Sequence, residues 1–442
     1  MECTKYRYHH LAKVTIEAVT PIAIGSGDKN IITDSVVVTD MNGMPYLPGS
    51  SIAGLLRHAM GDEKQADFLF GFQKGNKGHG SMLSVTDAVM IGKEGIALDG
   101  LQIQPLKDVF YLDFQHMPIR QHVRINEKGS AEKNGKYDGQ VAFKGTRFVF
   151  EMELCSEKSM EDEFNNMLDS LSAPEFRVGS GTRSGYGHIR VVSIKTAELD
   201  LCDGPQLEQY LQKSTCLSDS WERYAKKDLS VLEGNTSWEH FHVPLKAEDF
   251  FLFGSGLSDD VADITPVKEK FIVWNDDNHP HFEVGTLIPG TSIKGALLHR
   301  TAFYWNKLNE KYADDGNGKI ADVNPAVVAI YGTAANDEDN IKRGNLIIDD
   351  IIIPETNTKI LNHVSIDRFT GGALDGALFT ERVSDGRNVN FDVNIYVNKD
   401  AFKVDSTVRK AFCLALDDLR DGMLPLGGGT NRGNGIFTER NK

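Results

Sequence analysis

Two glycine-rich segments carry residue types that bind phosphate groups. They are Gly179–Gly187 (GSGTRSGYG) and Gly427–Gly435 (GGGTNRGNG), with threonine at the same position in each. Glycine lets backbone N–H groups approach an anion closely, and arginine adds positive charge. The spacing G-x-G-x-x-x-G-x-G is not the dinucleotide fingerprint, so a nucleotide cofactor is rejected. A tight helix-to-strand connection is the alternative to RNA contact. The residues predicted to contact RNA are Gly181, Thr182, Arg183, Gly429, Thr430 and Arg432.

Two Pro-Gly turns form a second candidate phosphate site, because each precedes a predicted helix. The turns are Pro48-Gly49 and Pro289-Gly290, each followed by two hydroxyl residues. A helix start offers free N–H groups and the positive end of the helix dipole. Ordinary N-capping by the same hydroxyls explains these residue types equally well. The residues predicted to bind RNA here are Ser50, Ser51, Arg57, Thr291, Ser292, Lys294 and Arg300.

Basic and aromatic residues are interleaved between Lys107 and Arg147. This composition is typical of a hairpin that contacts nucleic acid, and we predict RNA contact for Arg124. A solvated hairpin with aromatic side chains packed beneath it is the alternative.

The two halves of the chain carry the same unusual segments in the same order, which indicates an internal duplication. We predict a first domain at 1–196, a partly helical connector at 197–240 and a second domain at 241–442. The matching pairs are Gly25-Ser26-Gly27 with Gly254-Ser255-Gly256, Pro45–Arg57 with Thr286–Arg300, and His122–Ile125 with His363–Ile366.

Each repeat is predicted to run strand, helix, strand, strand, helix, strand, which gives an α+β fold of the ferredoxin-like (RRM-like) type. The first strands are predicted at Val14–Val19 and Phe241–Lys246, and the helices after the Pro-Gly turns begin near Ile52 and Ile293. Such a fold is expected to present an open sheet to single-stranded RNA.

Composition restricts the function classes. A formal net charge of -15 argues against indiscriminate binding of polyanions, although a groove needs only a local basic stripe. The five cysteines form no C-x-x-C pair, so zinc-finger spacing is absent. No run of eighteen apolar residues and no signal-peptide pattern occurs, so we expect a cytoplasmic protein with no membrane partner.

Together, these motifs resemble the RAMP superfamily of CRISPR proteins, and most closely the backbone (Cas seven) subunits of type III effector complexes. Two complete repeats in one chain resemble the fused double form of the III-D variant. The resemblance implies a hairpin thumb in each repeat and a role in antiviral defence. It implies three kinds of partner, namely a guide crRNA, a target RNA and other type III subunits.

The resemblance also implies a catalytic aspartate between the Gly-Ser-Gly segment and the Pro-Gly turn. Asp34 occupies that place in the first repeat and Asp263 in the second, where Asp259 and Asp260 are rivals. The implied activity is a metal-dependent endoribonuclease, in which these carboxylates hold Mg²⁺ or another divalent cation. The implied products are a 2',3'-cyclic phosphate and a 5'-OH.

Two alternatives stay open. One is a non-catalytic scaffold that binds guide RNA. The other is a metal-independent ribonuclease that processes precursor guide RNA, using His9, His10, His122 or His363 as general acid or base.

Overall fold

The computed structural model describes residues 6–27, 33–102, 107–125, 131–228, 237–276, 278–312, 323–333 and 342–440. The helices are α1 (Gly49–Ala59), α2 (Glu63–Phe70), α3 (Val109–Leu112), α4 (Glu161–Ser170), α5 (Gly204–Leu211), α6 (Gly290–Leu308), α7 (Pro325–Tyr331) and α8 (Ser406–Arg420). Strands of the first repeat and connector are β1 (Tyr8–Ala18), β2 (Phe72–Lys74), β3 (Lys77–His79), β4 (Leu83–Val85), β5 (Val89–Met90), β6 (Ile119–Ile125), β7 (Ala131–Gln140), β8 (Arg147–Ser156), β9 (Ile189–Asp200) and β10 (Ala225–Lys227). Strands of the second repeat are β11 (Trp238–Ala247), β12 (Lys268–Trp274), β13 (Pro280–Ile288), β14 (Leu346–Ile348), β15 (Ile351–Pro354), β16 (Thr358–Ile366), β17 (Ala373–Ser384), β18 (Asn390–Asn398) and β19 (Phe437–Glu439).

Both repeats are built on a central antiparallel sheet, and four strands of each follow the same order. The first sheet runs β10-β9-β1-β8-β4, with β5 also paired to β8, and the second runs β14-β18-β11-β19. Strands β4, β8, β1 and β9 of the first sheet therefore correspond to β14, β18, β11 and β19 of the second. Numbered by chain order among these four strands alone, both sheets run 2-3-1-4. The mixed α+β architecture and the duplication predicted from the sequence are confirmed.

Helices cover one face of each sheet because the strands alternate. In β1, the side chains of Ala12, Val14 and Ile16 are buried in the first core, beneath α1 and α4. In the second repeat, α8 buries residues spaced three and four apart, such as Val408, Ala411 and Phe412, which is the apolar stripe of an amphipathic helix.

The second repeat also contributes to the first core. Ile272 of β12 is buried in that core, and Trp274 and Phe282 pack against it. Ile272 N–H donates to the carbonyl of Lys144 at 2.8 Å, and the Trp274 indole donates to the carbonyl of Gly145 at 2.7 Å. The two repeats therefore share apolar contacts across the predicted domain division.

The connector covers the second face of the first sheet. The Tyr210 hydroxyl donates to Glu153 at 2.7 Å, and Lys213 donates to Glu151 at 2.6 Å. The Tyr224 hydroxyl donates to the other oxygen of Glu151 at 3.1 Å. The expectation of an open sheet is therefore wrong for the first repeat, because polar groups of the connector hydrogen-bond the carboxylates of β8.

The helix starts at the two Pro-Gly turns also differ from expectation. Helices α1 and α6 begin at Gly49 and Gly290, and no side-chain cap comes from the adjacent Ser or Thr residues. Instead, Gly49 N–H donates to Asp87 at 2.7 Å, and Gly290 N–H donates to Asp350 at 2.8 Å. A carboxylate from the loop between two strands, β4 and β5 or β14 and β15, thus accepts from the first N–H of each helix, as the helix dipole favours.

Within the described ranges, no helix combines the length and the apolar character that crossing a membrane requires.

Candidate functional site

Asp34 lies on the surface beside the β6–β7 hairpin. Its Oδ2 accepts a hydrogen bond from the backbone N–H of Asp138 at 3.2 Å, and its own N–H donates to Asp138 Oδ1 at 2.9 Å. The next residue, Ser35, accepts from Gln140 N–H at 2.9 Å. The loop is thereby fixed along the end of β7, with the carboxylate at an exposed position.

Asp263 has the same relation to the β16–β17 hairpin. Its Oδ2 accepts from Thr380 N–H at 2.8 Å and from the Thr380 hydroxyl at 3.0 Å. The next residue, Ile264, accepts from Arg382 N–H at 2.9 Å. Both loops therefore contact their hairpins in the same register. Residues 34 and 35 contact residues 138 and 140 in the first repeat, and residues 263 and 264 contact residues 380 and 382 in the second.

The rival Asp259 has a different role. It accepts from the N–H groups of Val261 and Ala262 and from the guanidinium of Arg382. These hydrogen bonds, the one from Val261 foremost, hold the pKa of Asp259 at about 2. Asp259 organises the turn that precedes Asp263, and Asp263 is the structural counterpart of Asp34.

A histidine stacks across each hairpin next to these carboxylates. His122 of β6 stacks on Tyr137 with ring centroids 4.9 Å apart, and His363 of β16 stacks on Phe379 at the same separation. Tyr137 and Phe379 directly precede the residues whose N–H groups bind Asp34 and Asp263. The two histidines therefore join the two strands of each hairpin next to the residues that hydrogen-bond Asp34 and Asp263.

Three of the four histidines named as alternative catalysts, His122, His363 and His10, make polar contacts with other protein groups. His122 Nε2 lies 2.7 Å from the Tyr186 hydroxyl, and burial lowers its pKa. His363 Nε2 lies 2.9 Å from a carboxylate oxygen of Glu381. His10 is buried and accepts from Met160 N–H at 3.0 Å.

The two glycine-rich loops have the same backbone. Four glycines in each adopt positive φ at matching positions, Gly179, Gly181, Gly185 and Gly187 in one and Gly427, Gly429, Gly433 and Gly435 in the other. A Cβ at Gly179 or Gly427 would lie 2.4 Å from a carbonyl oxygen of Ala23 or Leu252, so glycine is required for the close packing. Loop N–H groups bind those carbonyls, with Ser180 donating to Ala23 and Gly428 to Leu252, each at 2.7 Å.

The first glycine loop is covered by the second repeat. Arg183 donates to the Gly344 carbonyl at 3.0 Å and lies 5.2 Å from the ring centroid of Trp238. Lys294 donates to the Arg183 carbonyl at 3.0 Å, and burial beside Arg183 lowers the pKa of Lys294 to about 8. In contrast, Asn431 and Arg432 of the second loop are exposed.

Buried ion pairs lie between the repeats. Arg120, at the base of the first hairpin, donates to Glu269 and lies 3.0 Å from Asp350, and all three side chains are at most 8% exposed. Burial raises the pKa of Asp350 to about 6, against the opposing effect of Arg120. Nearby, Asp349 pairs with Arg177 and lies 2.9 Å from His188 Nδ1.

The remaining predicted RNA contacts are dispersed. Ser50 is exposed at the start of α1, whereas Thr291 and Ser292 are half-buried where α6 meets the first repeat. Arg57 pairs with Asp67, Arg300 with Asp418 and Arg432 with Glu381. The side chain of Arg124 lies outside the described residues, and its role stays a prediction, as do the roles of the others.

Sequence analysis missed Asp138, which is the partner of Asp34, because nothing in the hairpin sequence marks it. Asp34 and Asp263 each offer one exposed carboxylate. Mg²⁺ accepts one or two protein carboxylates when substrate phosphates and water complete its shell, so these residues fit a divalent cation bound together with RNA.

One comparison with known families gives a match. A sequence model described as the RAMP superfamily matches residues 15–190 and again residues 284–438. The two matched segments together span well over half of the chain, and each contains one Pro-Gly helix, one hairpin and one glycine loop. No curated protein matches the chain.

Proposed function

The chain belongs to the RAMP superfamily, and from this membership we propose that it is the guide-RNA-binding backbone subunit of a type III CRISPR effector complex, of the fused III-D-like form. In this role it binds crRNA together with other effector subunits and cleaves complementary target RNA. The shared strand order supports a ferredoxin-like RAMP domain in each repeat, with β6–β7 and β16–β17 as thumbs.

One observation carries the catalytic part of the proposal, namely the matched register of Asp34 and Asp263 against their hairpins. A hairpin that displaces a target nucleotide frees its 2'-OH to align with the adjacent phosphate, so positioning supplies much of the rate. Asp34 and Asp263 would orient that hydroxyl or hold a divalent cation, and the cation would neutralise charge on the phosphate. The tip of the second hairpin suits displacement, because Phe369 is 99% exposed there.

RNA contacts are proposed for the exposed part of the second glycine loop and for the start of α1. Arg432 is exposed in this loop, next to the half-buried Thr430, and Ser50 is exposed at the start of α1, next to the half-buried Ser51. The covered first loop is proposed to act mainly through backbone shape, because Arg183 already binds protein groups.

The test is cleavage of end-labelled target RNA by the assembled complex. Asp34→Asn is expected to remove one cut and Asp263→Asn the other, each by about 100-fold or more, with target binding retained. Asp260→Asn, in the same loop as Asp263, is the matched control and should leave both cuts. EDTA should abolish both cuts.

Unchanged cuts in both variants would move catalysis to other residues. Cleavage of precursor guide RNA in EDTA would favour the metal-independent ribonuclease. A wild-type complex that binds target RNA without cutting it would favour the non-catalytic scaffold.

A further inference from the structure

A compact group of metal-ligating side chains lies on the sheet face beneath the connector. His9 of β1 is paired directly opposite Cys155 of β8, and Glu153 is two residues from Cys155 on the same face. The ligand atoms of His9, Glu153 and Cys155 all lie within 4.8 Å of one another. It is the one group of three or more such residues found in the described part of the chain.

The distances suit a metal ion with tetrahedral preference. Around Zn²⁺, His nitrogen and Cys sulfur ligands are separated by about 3.6 Å, and nitrogen and carboxylate oxygen by about 3.3 Å. His9 Nδ1 lies 3.5 Å from Cys155 Sγ and 2.6 Å from Glu153 Oε1. Lengthening the His9–Glu153 contact by about 0.7 Å would give the nitrogen–oxygen separation of a tetrahedral site. The strand pairing holds His9 opposite Cys155.

A fourth group reaches the same point from the connector. The Tyr210 hydroxyl of α5 donates to Glu153 Oε1 at 2.7 Å, and the Tyr210 ring packs edge-on against the His9 ring at 4.9 Å. His9 is 6% exposed and the Glu153 side chain 25%, so the group is largely enclosed between the sheet and the connector. Tyr210 orients the carboxylate in the way that outer groups orient ligands in known metal sites.

We propose that His9, Glu153 and Cys155 form a three-ligand site for a thiolate-binding divalent metal of the Zn²⁺ class, with water as the fourth ligand. Sulfur and imidazole ligands select this class over Mg²⁺, which prefers oxygen. The thiol proton leaves to solvent as the Cys155 sulfur–metal bond forms. His9 Nδ1 gives up the proton of its hydrogen bond to Glu153, so that His9 binds through Nδ1 with its remaining proton on Nε2, and Glu153 exchanges that hydrogen bond for the metal. The bound ion joins β1 to β8 and, through Tyr210, to the connector.

The site is separate from the proposed RNA-cleavage aspartates, and its test needs no RNA. The purified full chain is stripped with a chelator, dialysed and titrated with Co²⁺, which reports thiolate ligation by its sulfur-to-metal charge-transfer absorption. The expected result is one equivalent bound with that absorption, displaced by one equivalent of Zn²⁺. Cys413→Ser, which changes a half-buried thiol elsewhere, is the matched control and should behave as the wild type.

Cys155→Ser should lose the absorption, and Tyr210→Phe should keep it with about 10-fold weaker binding. Glu153→Gln retains the thiol and serves if Cys155→Ser does not fold; it should weaken Co²⁺ binding at least as much as Tyr210→Phe. Absence of the absorption in folded wild type, or its persistence in Cys155→Ser, overturns the proposal and leaves a His–Glu hydrogen bond that only supports the fold.

Discussion

Replacement of Arg120 by methionine should uncouple the two repeats. The guanidinium lies between Glu269 and Asp350, whose side chains are 3% and 1% exposed. Its removal leaves two buried carboxylates without a counter-charge, and breaking a buried pair in this way costs about 3 to 5 kcal/mol. Because Asp350 has a pKa of about 6, it can take up a proton near that pH, so the loss should be larger at pH 7.5 than at pH 5.5.

Urea unfolding followed by tryptophan fluorescence measures this loss, since Trp238 and Trp274 both contact the first repeat. Arg190→Met is the matched control: Arg190 is 64% exposed and Glu17 keeps its pair with Arg147, so less than about 1 kcal/mol should be lost.

A triple variant separates charge from shape in this cluster. Arg120→Met combined with Glu269→Gln and Asp350→Asn removes every charge, and most of the stability should return. A loss below about 1 kcal/mol for Arg120→Met alone, or no recovery in the triple variant, would refute the assignment of this cluster as the electrostatic link between the repeats.

Three further perturbations test the packing. Asp350 binds a proton in the folded protein between pH 7 and pH 5, where the unfolded chain does not, so wild type should gain about 1 kcal/mol relative to Asp350→Asn over that range in urea titrations. Gly185→Ala should destabilise the protein, since its Cβ would lie 2.4 Å from Asp350 Oδ1 and the backbone there has φ +100°. Gly295→Ala should stabilise it by up to about 1 kcal/mol, because Gly295 lies in the middle of α6 and its Cβ would meet nothing within 4 Å. Thermal midpoints equal to that of the wild type would contradict both expectations. Lys213→Met should lower the free energy of unfolding by about 1 to 3 kcal/mol, because Glu151 loses its positively charged partner. Limited proteolysis of the connector should then become faster.

Local and repeated features were predictable from the sequence. The glycine spacing occurs twice with threonine in register, and the structure gives both loops the same four positive φ angles. Helix α6 continues through Trp305, as its residue pattern indicates. The longer loop of the second repeat offers Asp259 and Asp260 beside Asp263, and only the backbone register against β17 identifies Asp263 as the counterpart of Asp34.

Features that depend on distant partners were not predictable. The carboxylate that satisfies Gly290 comes from Asp350, 60 residues away, so local capping rules favoured the adjacent hydroxyls instead. Arg120 and Glu269 are 149 residues apart, and a sequence shows charges without showing which of them pair. Arg183 is of a residue type that binds phosphate, yet in the folded protein it donates a hydrogen bond to the Gly344 carbonyl of the second repeat.

The contribution of Ile272, Trp274 and Phe282 to the first core has a consequence for synthesis on the ribosome. Strand β9, which pairs with β1 in the first sheet, begins at Ile189, but the core is closed only after Phe282 has emerged. At about 5 to 20 residues per second, this delay lasts about 5 to 20 s, during which apolar surface of the nascent first repeat stays open to chaperones. If the gene is split within the connector, the N-terminal fragment lacks the residues that cover this apolar surface. The fragment should therefore aggregate when it is expressed without the second half.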